Sequence, residues 1–147
     1  MEKLLTTFLL IFFTVCGFGA STDFDVIKTR VIKTLVKPDV NDDAIELLLN
    51  SLREDGTWPG IDYADVSSEG FQHSRHSGNM VALARAYNKR SSKFFKSKKV
   101  KNVVEAAIEN WVNNDYICEN WWLNQIGTPN NLVQVMLLIG DKLQNEG

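Results

Sequence analysis

The amino-acid sequence predicts an all-α protein built of antiparallel helical hairpins. Three observations lead to this fold class. In five stretches, apolar side chains recur at intervals of three and four residues, as they do along one face of an α-helix. Residues that cap or stop helices lie between these stretches. No stretch alternates apolar and polar residues as a half-buried strand does, and short connections favour antiparallel helices.

The first residues are predicted to be an export signal. Lys3 precedes an apolar run over residues 4–15, and small residues suited to cleavage follow at 17–20. The run is too short to span a membrane, so we assign residues 1–20 to a secretory signal peptide. Cys16 also allows lipidation, but the bulky valine before it does not suit a lipobox. We therefore expect a periplasmic or secreted protein with no membrane span.

Composition and charge are those of a globular domain. The 147 residues carry a net charge of −2, which, with the export signal, argues against nucleic acid as a partner. We assign residues 21–147 to one helical domain. Once the signal is removed, Cys118 is the only cysteine left and cannot form an internal disulfide. We expect it to be a small buried side chain.

The first two helices are delimited by recognisable start and stop residues. The first has helical periodicity over residues 24–35 and ends before Pro38. Asn41 is predicted to cap the second, with two aspartates in its first turn. The apolar face of the second helix comprises Ile45, Leu48, Leu49 and Leu52.

Residues 55–63 are predicted to form an ordered loop. Two glycines and a proline exclude a regular element, and Trp58 and Tyr63 can anchor the loop in the core. Three acids lie in and just after it: Asp55, Asp62 and Asp65. A pair of them could perform general acid–base chemistry, but aspartates in such a stretch more often form turns, which is the interpretation we favour.

The third helix is expected from about residue 69 to residue 87. His73 and His76 are three residues apart and share one face of it. They could bind a metal, but no third ligand recurs at a matching interval. Hydrogen-bonded histidines near the start of the helix are the favoured interpretation, and no metal site is predicted.

A basic stretch follows the third helix. It contains Lys89, Arg90, Lys93, Lys96, Lys98, Lys99 and Lys101. A solvated turn is the favoured interpretation, and a positive patch that attracts a polyanion is the alternative. Ser97 is predicted to cap a fourth helix with an apolar face at 100–111.

Two adjacent tryptophans, Trp121 and Trp122, follow the fourth helix and lie among the amides of Asn120, Asn124 and Gln125. Neighbouring side chains point about 100° apart on a helix and to opposite faces of a strand, so both indoles cannot enter one core. Either one is buried and one exposed, or both line a concave site. Flat apolar rings surrounded by amides suit a sugar.

Thr128 and Pro129 are predicted to begin the fifth helix. Its middle, residues 132–139, is apolar almost all round, which is typical of a helix with neighbours on several sides. Because the sequence ends soon afterwards, we expect a truncated chain whose remaining helices would cover it.

Several motifs occur in an order that resembles the amino-terminal part of polysaccharide lyase family 8. Residues 55–63 read Asp-Gly-Thr-Trp-Pro-Gly-Ile-Asp-Tyr, and His73, residues 82–87 and Trp111 follow. Residues 120–129 then hold Asn-Trp-Trp, Ile-Gly and proline. The family includes chondroitin AC, hyaluronate and xanthan lyases, and the resemblance, strongest to the chondroitin AC type, covers residues 24–147.

The resemblance implies part of an incomplete α/α toroid, which β-sheet domains follow in the family. It also implies β-elimination in a uronate-containing glycosaminoglycan, an acidic polysaccharide. A tyrosine and a histidine transfer protons, an asparagine neutralises the carboxylate and arginines assist. The carboxylate charge must be masked because the proton on the neighbouring carbon is otherwise too weakly acidic. No cofactor is implied, and the full-length protein is expected to be a monomer.

For this chain, the resemblance implies substrate binding by Asn120, Trp121 and Trp122. The catalytic set is expected beyond Gly147, since Tyr63, the tyrosine of the third helix and the two histidines do not match it by motif. The chain alone is therefore expected to be inactive.

Two alternatives stay open from the sequence. One is an α-toroid glycoside hydrolase that uses two of the acids Asp55, Asp62 and Asp65. The other is a non-catalytic helical protein that binds a glycan or a partner chain.

Overall fold

The computed structural model describes residues 22–143, apart from the side chain of Lys142. The predicted signal peptide, residues 1–20, lies outside this range. Within the range every regular element is helical, with no strand, which confirms the all-α prediction. None of the described helices combines the length and the apolar character that crossing a bilayer requires.

The helices are joined by connections of different lengths, the longest of which covers residues 52–72. They are α1 (Asp23–Val36), α2 (Asp42–Ser51), α3 (His73–Asn88), α4 (Lys98–Asn114), a π-helical segment (Leu123–Gly127), α5 (Thr128–Val135), a second π-helical segment (Met136–Gly140) and α6 (Asp141–Leu143). The last four join end to end without a break in helical structure from Trp121 to Leu143. The chain divides into two compact units after Arg30.

In the first unit, the described residues form the start of α1. Thr22 and Asp25 cap the start of the helix through two hydrogen bonds. Asp25 N–H donates to Thr22 Oγ1 (3.2 Å), and Thr22 N–H donates to Asp25 Oδ2 (3.1 Å). These bonds satisfy backbone donors that a helix start leaves without partners.

In the second unit, α3 and α4 are antiparallel. His76, near the start of α3, bonds the carbonyl of Ala107 in the second half of α4 (2.9 Å). At the other end, Lys96 N–H donates to the carbonyl of Tyr87 (2.9 Å). The predicted hairpin arrangement is confirmed for this pair.

The helical run after the tryptophan pair lies parallel to α3. Asn131 Nδ2 donates to Ser77 Oγ (2.9 Å), and eleven residues along α3 Asn88 Nδ2 donates to the carbonyl of Leu138 (2.7 Å). The core between these helices contains Ile45, Leu49, Trp58, Ile61, Met80, Leu83, Ala84, Val100, Val104, Ala107, Val135, Leu138 and Ile139. The same run leaves Val133 and Met136 exposed.

Two predicted caps are confirmed. Asn41 Oδ1 accepts from the N–H groups of Asp43 and Ala44, both at 3.1 Å. Ser97 Oγ accepts from Val100 N–H at 3.5 Å. Short polar side chains that precede an apolar helical stretch are reliable start signals because the first N–H groups of a helix need acceptors.

The predicted start of the third helix and the predicted capping role of Thr128 were wrong, whereas α5 begins at Thr128 as predicted. The third helix begins at His73 rather than near residue 69, because Ser67 Oγ accepts from Gly70 N–H (3.0 Å) and holds the preceding residues in a turn. Thr128 does not cap a helix start: its backbone is already helical and its buried Oγ1 has no hydrogen-bond partner among the described residues. The wide π turn before Pro129 accommodates a residue that lacks an N–H.

The basic stretch connects elements instead of forming a free patch. Lys89 Nζ donates to the carbonyls of residues 36–38, at 3.0–3.3 Å, where α1 ends. Lys93 Nζ donates to Glu46 Oε2 (2.6 Å). Positive charge at the carboxyl end of a helix is favourable, and paired lysines are less available to a polyanion. The structure therefore does not support the polyanion-binding alternative.

Candidate functional site

The tryptophan pair begins the last helical run, after a reversal of the chain. Helix α4 ends at Asn114, and the left-handed backbone of the following residue, Asp115 (φ 45°), turns the chain back. Two hydrogen bonds then fix the returning segment to the loop before α3: Glu119 N–H donates to the carbonyl of Val66 (2.9 Å), and Asn120 Nδ2 donates to that of Ser68 (3.2 Å). The residues directly before the pair are thus held against that loop.

Both indoles are exposed. Trp121 has 63% of its surface accessible and Trp122 has 49%, whereas Trp58 has 2%. The sequence allowed either one buried and one exposed indole, or two indoles that both line a concave site. The exposure of both excludes the first arrangement. Two exposed indoles side by side are unusual enough for a folded protein that they indicate a binding surface.

Asn120 is the cap of this helical run. Its Oδ1 accepts from the N–H groups of Trp122 (3.0 Å) and Leu123 (3.3 Å). Because its Nδ2 also bonds Ser68, Asn120 fixes the direction in which the helix begins. It thereby fixes the positions from which both indoles project. An amide nitrogen carries two hydrogens, so Asn120 has one further donor to offer a ligand.

Removing this cap is expected to destabilise the protein. Asn120→Ala leaves two N–H groups without their acceptor and should lower the free energy of unfolding by about 1 kcal/mol. Asn120→Asp retains an acceptor oxygen at the helix start but loses the donor to Ser68, so it should lose less than Asn120→Ala. Urea unfolding of both variants checks this, and an unchanged free energy of unfolding in Asn120→Ala would show that the cap contributes nothing.

Asn124 fixes the bend before the indoles. Its Oδ1 accepts from Cys118 N–H (3.1 Å), and its Nδ2 donates to the carbonyl of Cys118 (2.7 Å). Cys118 is buried against Phe71 and Trp111, which confirms its prediction as a small buried side chain. These supporting roles of Asn120 and Asn124 were not predicted from the sequence. The signal was a polar residue directly before an apolar helical turn.

The three candidate acids each close a turn. Asp55 Oδ1 accepts from Thr57 N–H (2.9 Å), Asp62 Oδ1 from Ala64 N–H (2.9 Å) and Asp65 Oδ1 from Ser67 N–H (3.0 Å). Hydrogen bonds from Thr57 lower the pKa of Asp55, and those from Ser67 lower the pKa of Asp65. A general acid needs a raised pKa, so the structure does not support the hydrolase alternative.

The two histidines belong to a buried polar network. His76 Nε2 lies 2.9 Å from the carbonyl of Ala107, which can only accept, so this nitrogen carries the hydrogen. Its Nδ1 therefore accepts from Tyr63 Oη (2.9 Å), and Tyr63 Oη accepts from Trp58 N–H (3.1 Å). Burial lowers the pKa of His76 to about 4, and burial also lowers that of His73. Both are neutral at physiological pH.

This network is structural, as the favoured interpretation of the histidines predicted. His73 stacks on Phe71, with ring centroids 4.1 Å apart, and its Nε2 bonds the carbonyl of Tyr63 (2.9 Å). In the described part of the chain, no three His, Cys, Asp or Glu side chains come together in a way that could hold a metal.

A polar groove of about 450 Å³ lies at the end of α4, away from the core. Its lining includes the acids Glu54, Asp55 and Glu109 together with amides. Three carboxylates make this groove unfavourable for an acidic ligand.

Fold and site together define a helical-hairpin protein that presents two adjacent exposed indoles. Residues 23–147 match the polysaccharide lyase family 8, N-terminal α-helical domain. The chain belongs to polysaccharide lyase family 8.

Two relatives show the extent of this similarity. Over 116 residues the chain is 30% identical to chondroitinase-AC of Pedobacter heparinus, a match that covers 78% of this chain and 17% of the relative. A solved structure of a chondroitinase AC lyase superposes with a TM-score of 0.72 at 30% identity, again over 78% of this chain and 17% of that one. The chain thus spans about one sixth of each relative's length, and its helical hairpins correspond to part of that lyase's α/α toroid.

Proposed function

We propose that the protein is a polysaccharide lyase acting on a uronate-containing glycosaminoglycan of the chondroitin type. In this proposal Trp121 and Trp122 form an aromatic platform on which successive sugar rings stack. The observation that carries it is the exposure of both indoles at a helix start fixed by Asn120. Membership of a lyase family and similarity to a chondroitinase support the choice of substrate.

The platform fits the physical needs of polysaccharide binding. A hydrated sugar chain offers flat apolar ring faces, and indoles cover them at little entropic cost. Asn120 can add one hydrogen bond from Nδ2 to a hydroxyl group. The proposed reaction removes the proton next to the uronate carboxylate and expels the glycosidic oxygen from the neighbouring carbon, which leaves a carbon–carbon double bond.

The proton-transfer groups are proposed to lie beyond Gly147. Tyr63 and His76 use their side-chain polar atoms within the buried network. His73 is fully buried and its Nε2 bonds the carbonyl of Tyr63, while its Nδ1 has no partner among the described residues. We propose that this chain positions substrate, that residues 1–20 export it to the periplasm or medium, and that the full-length protein acts as a monomer.

Trp122→Ala in the full-length protein tests the platform. An aromatic stacking contact contributes about 0.5–1.5 kcal/mol, so kcat/KM on chondroitin sulfate should fall roughly 2- to 10-fold, mainly through KM. The product is measured by the ultraviolet absorbance of the unsaturated uronate. Thermal unfolding should be unchanged, because the indole is half exposed.

The matched control is Phe95→Ala, which removes an exposed aromatic ring from the loop between α3 and α4. This loop lies at the other end of α4 from the tryptophan pair, so the variant should retain wild-type kinetics. Unaltered kcat/KM in Trp122→Ala would refute the platform, and products without a double bond would refute the lyase.

A further inference from the structure

Gly127 lies directly beneath the indole of Trp122. A Cβ atom added to Gly127 would be 2.8 Å from Cζ3 and 3.3 Å from Cε3 of that indole, and 3.3 Å from Cδ2 of Leu123. Carbon atoms pack at about 3.5–4.0 Å, so no side chain fits there unless the indole moves. The six-membered ring of Trp122 therefore lies against the backbone of Gly127, with no side chain between them.

The π-helical segment makes this contact possible. In a regular α-helix, two residues five positions apart point about 140° away from each other. Here the N–H of Thr128 bonds the carbonyl of Leu123, five residues earlier, which widens the turn. The wide turn brings Gly127 to the side of the helix that carries Trp122.

The second π-helical segment provides an internal comparison. It also ends in a glycine, Gly140, but a Cβ atom there would meet only Met136 Cβ at 3.8 Å, an ordinary contact. A wide turn alone thus has room for a side chain at its last residue. At Gly127 the indole occupies that room.

We propose that Gly127 is a positioning residue for Trp122, whose ring face it sets at the height and tilt that a sugar requires. This inference rests on the proposed function of the tryptophan platform. Stacking energy depends on contact between two faces, and dispersion decreases steeply when a gap opens. A methyl group at Gly127 pushes the edge of the indole outward and tilts its face.

The test compares Gly127→Ala with Gly140→Ala in the full-length protein. Gly127→Ala should lower kcat/KM on chondroitin sulfate roughly 2- to 10-fold, as loss of the stack does, and should change the near-ultraviolet circular dichroism of the tryptophans. Gly140→Ala should have the kcat/KM and the near-ultraviolet circular dichroism of the wild type. Thermal unfolding separates this effect from misfolding: alanine is a better helix former than glycine, so neither variant should melt earlier.

A double-mutant cycle shows whether the effect acts through the indole. In a Trp122→Ala background, Gly127→Ala should change neither kcat/KM nor the spectrum. An equal loss with and without the indole overturns the positioning role, as does a wild-type kcat/KM in Gly127→Ala. A Trp122→Ala protein with wild-type kinetics overturns the proposed function instead, and the spectral comparison then still shows whether Gly127 supports the ring.

Discussion

Trp58→Ala is expected to remove a large part of the stability of this domain. Trp58 is 2% exposed, its Nε1 donates to the carbonyl of Leu48 (3.0 Å), and its ring meets that of His76 edge-on at 4.9 Å. Truncating a buried tryptophan typically costs about 3–5 kcal/mol, against a total of about 5–15 kcal/mol for a domain. The substitution also removes the Nε1 donor from the Leu48 carbonyl, which retains only the longer bond from Ser51 Oγ (3.5 Å).

Two further variants separate the causes of this loss. Trp121→Ala removes the same side chain from an exposed position and should change the free energy of unfolding by less than about 0.5 kcal/mol. Trp58→Phe retains an aromatic ring but not the indole N–H, so its loss of unfolding free energy should lie between those of Trp58→Ala and Trp121→Ala. Urea unfolding measures all three, and a loss below about 1 kcal/mol in Trp58→Ala would show that this loop does not anchor the core.

The loop that carries Trp58 could be predicted in outline from its composition. Gly56 and Gly60 have positive φ angles of 79° and 75°, which the two glycines allow at low cost. At Gly56 a Cβ atom would overlap the carbonyl oxygen of Ala106 in α4, so the backbone packs directly on that helix. This contact joins residues fifty positions apart, and no local pattern reports such a distance.

The candidate site was predicted less completely than the fold. The adjacency of Trp121 and Trp122 sufficed to show that they could not share a core. It did not show that Asn120 begins a helix there, because Gly127 and Pro129 shortly after resemble the residues of a loop. The π turn between them overrides that local signal, since it absorbs both the glycine and the proline within a helical run.

The buried histidine explains why the domain should be sensitive to acid. Burial lowers the pKa of His76 to about 4 from an ordinary value of 6.5. Above the ordinary value the imidazole is neutral in both folded and unfolded chains, and the stability due to its burial is complete. Below that value the imidazole is protonated in the unfolded chain but stays neutral in the folded chain. The free energy of unfolding therefore decreases until the pH reaches the folded-state pKa.

Acidification from about pH 7 to about pH 4.5 should therefore lower the free energy of unfolding by roughly 2–3 kcal/mol through this one group. His73, whose pKa burial also lowers, adds a loss of the same sign. The lowered pKa values of Asp42, Asp55 and Asp65 affect stability mainly below this range, and that of Glu46 begins to do so near its end.

A variant of His76 isolates the contribution of the histidine. His76→Gln removes the titrating ring while retaining an amide N–H for the carbonyl of Ala107. Its stability at neutral pH should be lower, but its loss on acidification should be clearly smaller than that of the wild type. Equal losses in the two proteins would mean that another group carries the acid sensitivity.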